Sequence, residues 1–185
     1  IDSVSIADFS SQQDKLLAQI GKRLLNGSYR FSRLRSAVIP KSDGKERRLG
    51  IPTVADRIVL QSIRQSIEPL CESRFLGCSH AYRPGRGSMT ALTEIANALR
   101  QGASHVLESD VECFFDSIDH RKLLDQLTSI DGNLPRMPLI QAALRMSSGI
   151  WPARKGIAQG SPLSPLLANV ALMPLDTHMS AANFR

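Results

Sequence analysis

Apolar side chains recur at helical spacing through Leu16, Leu17, Ile20, Leu24 and Leu25, a one-faced pattern that predicts a helix ending at Gly27. Ser10 stands three residues before Gln13, the spacing of a capping box, so the helix is expected to start after Ser10. Two extended stretches follow, Leu34 to Pro40 and Arg47 to Pro52. They flank Ser42-Asp43-Gly44-Lys45, and an Asp-Gly pair between extended arms signals a hairpin. A second helix is predicted from Val54 to Leu70 with Val54, Ile58, Ser62, Ile63 and Ile67 as its inner stripe. Pro84, Gly85 and Gly87 break the chain into an irregular stretch from Cys71 to Gly87. Ser88 then caps a helix to Arg100, with Met89, Leu92, Ile95, Ala96 and Leu99 facing inward and Gly102 ending it. A strand is predicted from His105 to Leu107. Helices from His120 to Leu127 and Arg136 to Met146 surround a break at Asp131-Gly132. A last helix runs from Pro165 to Met179, kinked at Pro174. No internal repeat or low-complexity tract interrupts this α+β pattern, in which helices outnumber strands.

Composition narrows the chemistry only a little. At 185 residues the chain suits one domain or two small packed subdomains. Its 23 Lys+Arg against 17 Asp+Glu give a formal net charge of +6, which favours a polyanionic partner without identifying one. Cys71, Cys78 and Cys113 lack metal-ligand spacing, so reduced cysteines are expected, with neither a zinc site nor a disulfide framework. No apolar run approaches the roughly 20 residues that span a bilayer, and a soluble, cytoplasmic protein without membrane partners is expected. The sequence begins Ile1-Asp2-Ser3-Val4, without Met, which suggests a piece of a longer protein.

Two runs concentrate chemistry. Asp110 follows the predicted strand in Ser109-Asp110-Val111-Glu112-Cys113-Phe114-Phe115-Asp116, where a short carboxylate at a strand end can hold a divalent metal or simply cap a turn. Gln159-Gly160-Ser161-Pro162-Leu163-Ser164-Pro165 reads as a Gly/Pro turn opening a helix, suited to bringing backbone close to a flat substrate. The segment from Asp110 to His120 resembles the first palm motif of group II intron-type reverse transcriptases. Three other runs resemble that family in its order: Arg48 to Val59 its fingers motif, Tyr82-Arg83-Pro84-Gly85-Arg86-Gly87 the loop after it, and Gln159 to Asn169 its second palm motif. Ser161 stands where Gly is common in the family, a mild departure.

The resemblance implies a right-hand polymerase fold, with fingers over 1–87, the first part of the palm over 88–119, a helical insertion over 120–149 and an incomplete second part of the palm over 150–185. It implies RNA-directed DNA synthesis, in which a primer 3′ hydroxyl attacks a dNTP α-phosphate with two metal ions, Mg²⁺ or Mn²⁺, at the reacting oxygens. Asp110 would be the catalytic, metal-bridging carboxylate and Val111 would add its backbone carbonyl. Phe115 would lie beneath the sugar as a gate against a 2′ hydroxyl, with Phe114 sent the other way into the core by strand-like alternation. Asp116 would bind metal or orient the motif through hydrogen bonds. Gln159 and Gly160 would pack on the nascent base pair. Lys41, Arg47, Arg35 and Arg48 would contact the triphosphate from the hairpin or belong to a solvated charged face. Arg83 and Arg86 would steady template or primer phosphates. His80, His105, His120 and His178 show no ligand spacing and read as structural.

The family's further palm motif, an aromatic residue followed by Ala and two aspartates, does not occur in the sequence. The expectation is therefore an N-terminal fingers and partial-palm fragment, truncated before that motif and the thumb and inactive alone, of an active parent. The parent's partners would be RNA template, DNA or RNA primer and dNTPs. Its role would lie with intron RNA or in bacterial defence beside a CRISPR integrase acquiring spacers from RNA, the tail Leu172-Met173-Pro174-Leu175-Asp176 leaning slightly to the second. The competing reading is a polymerase-like RNA-binding scaffold without catalysis.

Overall fold

The structure, a computed structural model, describes residues 4–40, 44, 46–134, 136–146 and 154–182. Two short helices open it, α1 (Ile6–Ser11) and α2 (Gln13–Leu25). The capping box sits at α1, not at Ser10: the Asp8 N–H donates to Ser5 Oγ at 3.1 Å and the Ser5 N–H donates back to Asp8 Oδ2 at 2.9 Å. Leu16, Ile20 and Leu24 are partly buried, while Leu25 is exposed. The α2 chain leaves through Gly27, whose φ of +70° is the left-handed conformation that suits a helix C-terminus.

A strap over residues 26–34 leads into the hairpin β1 (Arg35–Pro40) and β2 (Glu46–Ile51), an antiparallel pair running from Arg35↔Ile51 to Pro40↔Glu46. The strap is pinned to α3 (Val54–Glu72) by Asp56. This carboxylate is 1% exposed and accepts from Tyr29 Oη at 2.7 Å, Thr53 Oγ1 at 2.7 Å and the Ser32 N–H at 3.1 Å. A buried carboxylate persists only when hydrogen bonds replace its water, and three donors do so here. The inner stripe of α3 is Val59, Leu60, Ile63, Ile67 and Cys71, rotated from the predicted one, and Ser62 is exposed.

After turns over residues 73–87 come α4 (Ser88–Arg100), a one-turn α5 (Phe114–Ser117), α6 (His120–Ile130), α7 (Met137–Arg145) and α8 (Ser164–Ala181). One core cluster joins Tyr29, the α3 stripe, Leu123 and Leu127 of α6, Ile140 and Leu144 of α7, and Leu166, Leu167 and Val170 of α8. Helix α8 packs on α6 and α3, and α3 on α7. Pro174 lies inside α8. Among the described residues no helix is long and apolar enough to cross a membrane.

Two expectations fail between α4 and α5. Met89, Leu92, Ile95 and Leu99 face outward, from 49% to 74% exposed, because amphipathic spacing marks a face that favours burial and does not supply the partner. No strand forms over 105–107: Val106 and Leu107 are exposed and no described residue pairs with them. A strand exists only as part of a ladder, so extended propensity without a neighbour yields irregular chain.

Candidate functional site

The first motif folds around a local reversal. Cys113 takes φ +49°, an uncommon left-handed conformation for a non-glycine residue, and the N–H groups of Asp116 and Ser117 both donate to its carbonyl at 3.0 Å. The resulting single turn of helix corrects the expected strand alternation of Phe114 and Phe115. Both rings are half-buried against the core, in edge contact with each other at 5.8 Å between centroids.

Downstream, the motif pairs with the segment over 154–157. The Ile157 N–H donates to the Phe115 carbonyl at 2.9 Å, the Gly156 N–H to Ile118 at 2.9 Å, and the His120 N–H to Arg154 at 3.0 Å. His120 Nε2 bonds the Gly156 carbonyl at 2.7 Å, a structural role as expected. These bonds place Phe115 and the Gln159-Gly160 turn on one support. The Ser161 N–H then donates to the Ala158 carbonyl and the Ser164 N–H to that of Ser161, closing the turn that opens α8. Pro165 falls in the first turn of α8, where a missing N–H costs nothing.

The turn meets both other parts of the site. Gln159 Nε2 donates to Asp116 Oδ1 at 3.2 Å. The Gly50 N–H of β2 donates to the Gln159 carbonyl at 3.0 Å. Gly160 has φ +117°, and a Cβ there would stand 3.3 Å from the Gly50 carbonyl oxygen, so glycine is required twice over. Leu34 packs with Ala158 beside this joint.

On the hairpin, strand alternation puts Arg35 and Arg47 on one face and Arg48 on the other. All three are exposed. Arg35 pairs at the base and Arg47 near the tip, four residues apart and so about 13 Å along the strand. Lys41 lies outside the described residues.

Arg83 is corrected. Its guanidinium is buried, donating to both Glu72 carboxylate oxygens at 3.0–3.2 Å and to the Leu76 and Ser79 carbonyls at 2.7 and 2.8 Å, and it lies over the Phe75 ring. It holds the loop together, its donors turned into the protein. Arg86 is exposed and donates to the Gly77 carbonyl. Asn169, 5% exposed, reaches from α8 to the Ala81 carbonyl at 2.7 Å and ties the same loop to the turn's helix. Sequence reasoning missed Asn169 and Asp56. The Thr-x-x-Asp spacing of Thr53 and Asp56, followed by the apolar stripe of α3, was the available signal for the second.

Asp110 and Val111 lie in irregular, exposed chain before the reversal, not at a strand end. Among the described residues no three His, Cys, Asp or Glu side chains converge as a metal site. One carboxylate and one carbonyl are hard oxygen donors of the right kind for Mg²⁺ or Mn²⁺, yet they form only part of a shell of six. Asp119 caps α6, and the backbone N–H of Lys122 holds its carboxyl below the ordinary value.

The reverse transcriptase (RNA-dependent DNA polymerase) family profile matches residues 39–184. The chain belongs to the reverse transcriptase family. Its relatives place it with the group II intron type. It is 34% identical over 173 residues to the group II intron-encoded protein LtrA of Lactococcus lactis subsp. cremoris, covering 91% of this chain and 28% of that protein. It is 33% identical over 164 residues to protein YkfC of Escherichia coli K12, covering 84% of this chain and 43% of YkfC. The chain thus spans well under half the length of both. Its fold resembles part of a solved Cas6-RT-Cas1–Cas2 complex at TM-score 0.56 and 28% identity, covering all of this chain and 32% of that one. Mixed helix and sheet in a reverse transcriptase domain accord with the α+β expectation.

Proposed function

We propose that the chain is the fingers and first palm portion of an RNA-directed DNA polymerase that adds dNTPs to a primer on an RNA template. The carrying observation is the joint at Gln159-Gly160, where the turn bonds Asp116 of the first motif through its side chain and Gly50 of the hairpin through its backbone. A polymerase needs a sugar-reading motif, a base-pair support and a phosphate-binding arm in register, and these three segments meet there. Residues 1–87 act as fingers, 88–119 and 150–185 as palm, and 120–149 as a helical insertion.

In the reaction the primer 3′ hydroxyl attacks the α-phosphate and pyrophosphate leaves. Asp110 and the Val111 carbonyl would hold the Mg²⁺ or Mn²⁺, which when bound would supply charge stabilisation for the attacking and leaving oxygens. Phe115 sits under the sugar and disfavours a 2′ hydroxyl. Gln159 and the bare Gly160 backbone pack on the nascent pair. Arg47, with Lys41, meets the triphosphate; Arg35, about 13 Å away along the hairpin, reaches a different phosphate. Arg86 contacts template or primer backbone. The test is RNA-templated dNTP incorporation by the full-length polypeptide carrying this chain. Asp110→Ala is expected to abolish synthesis while RNA binding persists. Undiminished synthesis in the variant overturns the assignment, and a wild type that binds RNA without synthesis makes the protein a scaffold.

The likeness to the Cas6-RT-Cas1–Cas2 complex supports a second biological setting for the same chemistry, spacer acquisition beside a CRISPR integrase, alongside the intron mobility that the likeness to LtrA supports. Sequencing RNA that copurifies with the full-length polypeptide decides: enrichment of one intron supports the intron role, and copurifying integrase with mixed RNA the other.

A further inference from the structure

We infer that Asp116 is a positioning residue that fixes which end of the Gln159 side-chain amide meets the incoming nucleotide. The inference rests on the nucleotidyl-transfer reading above and deepens it. Gln159 Nε2 lies 3.2 Å from Asp116 Oδ1. A carboxylate accepts and never donates when ionised, so it selects the NH₂ end of the amide and repels the carbonyl end. With the donor end held, Gln159 offers its Oε1 as an acceptor to a donor on the substrate, such as a sugar hydroxyl.

Both partners stand on fixed backbone, which gives the contact its directing power. Asp116 lies in the single turn closed on the Cys113 carbonyl, and the neighbouring Phe115 carbonyl is bonded by Ile157, two residues before Gln159. From the other side, the Gly50 N–H holds the Gln159 carbonyl at 3.0 Å. The Gln159 side chain therefore springs from fixed backbone, and the carboxylate orients its amide. A rotatable amide with no such partner would present donor and acceptor alternately, and the substrate would bear the cost of ordering it.

The experiment measures single-nucleotide incorporation from an RNA template by the full-length polypeptide as wild type, Asp116→Ala, Asp116→Asn, Gln159→Ala and the Asp116→Ala/Gln159→Ala double variant. Asp116→Ala is expected to raise KM for dNTP about tenfold, the low end for losing a bond to a charged acceptor at this length, with kcat little changed. Asp116→Asn, whose amide donates as readily as it accepts, no longer selects one end of the Gln159 amide and should raise KM as well. In the Gln159→Ala background, Asp116→Ala has no further effect on KM, because the carboxylate acts through the amide. Equal effects in both backgrounds, a loss confined to kcat, or an asparagine variant with the wild-type KM each overturn the inference. A readout independent of turnover separates it from the parent reading: the Gln159 side-chain NH₂ resonances in a ¹⁵N-correlated NMR spectrum should shift on Asp116→Asn. An active wild type without that shift overturns the positioning role alone. An inactive wild type that shows it retains the contact and overturns the nucleotidyl-transfer reading, and with it the nucleotide role given to Asp116. Should Asp116→Ala not fold, the same cycle run with Asp116→Asn and its double variant decides, additivity again refuting.

Discussion

Gly160→Ala tests the joint most directly, because its cost divides into two parts with separate controls. The backbone at φ +117° is one that L residues rarely adopt, and holding alanine there costs about 1–3 kcal/mol. The new Cβ also stands 3.3 Å from the Gly50 carbonyl oxygen, tighter than an ordinary contact, and that oxygen belongs to backbone that cannot rotate aside. Relief requires β2 to move by a few tenths of an ångström. Gly50 is the residue whose N–H bonds the Gln159 carbonyl at 3.0 Å, so the shift strains that bond as well, worth about 1 kcal/mol. Gly102→Ala supplies the control: φ is +98° and nothing lies within 4 Å of its added Cβ. Urea unfolding of both variants should show Gly160→Ala the more destabilised by about 1 kcal/mol, or about 2–4 °C in Tm for a chain of this size. A Gly160→Ala penalty no larger than that of Gly102→Ala would refute the claim that hairpin and turn press on one another.

Asp56→Ala leaves the Tyr29 and Thr53 hydroxyls and the Ser32 N–H without their acceptor in a buried setting, and urea unfolding should record a loss of about 3 kcal/mol. Labelling with a thiol reagent at pH 8 should find Cys113 and Cys78 reactive and Cys71 protected until unfolding, since burial pushes the Cys71 thiol up to about 12; Cys78, raised mainly by desolvation, should react more slowly than Cys113. Partial burial also raises the Asp176 carboxyl, with Arg83 opposing. An acid whose folded pKa exceeds its unfolded value of about 3.9 destabilises the fold once ionised, so the penalty is absent below that value and grows as pH rises through the folded pKa. Asp176→Asn should therefore gain stability relative to wild type at pH 7 and not at pH 3, as compared by thermal melts.

What the sequence disclosed depended on whether its cause was local. The hairpin was legible because Asp43-Gly44 sits between extended arms, and α6 and α7 because their apolar periods find partners in α8 and α3. The same periodicity in α4 misled, since Met89 and Leu92 carry the pattern with no described residue to cover them. The strand at 105–107 failed for a related reason: pairing is non-local, and a three-residue stretch cannot state who stands beside it. Phe114 and Phe115 were given strand alternation, whereas the left-handed Cys113 turns the chain into helix one residue earlier, a conformation that no propensity of cysteine announces. Arg83 looked like a phosphate contact beside Arg86. Its partner, Glu72, is eleven residues upstream across an irregular loop, where sequence spacing says nothing about proximity.

Membership of the family, by contrast, was legible because four separate runs agreed in order, and contacts in the structure join several of these runs. Leu34 packs with Ala158 and Gly50 bonds Gln159, so both ends of the hairpin base rest on the turn that follows the 154–157 segment. That segment is itself bonded to the Phe115 and Ile118 carbonyls. The bonds from Gly50 to Gln159 and from Gln159 to Asp116 link the arm carrying Arg47 to the first motif through the turn. On the proposed function, arm closure over a triphosphate and support of the base pair would then be coupled through this joint. The Arg48 side chain lies on the face opposite Arg35 and Arg47, and Arg48→Ala should leave the KM for dNTP unchanged where Arg47→Ala raises it.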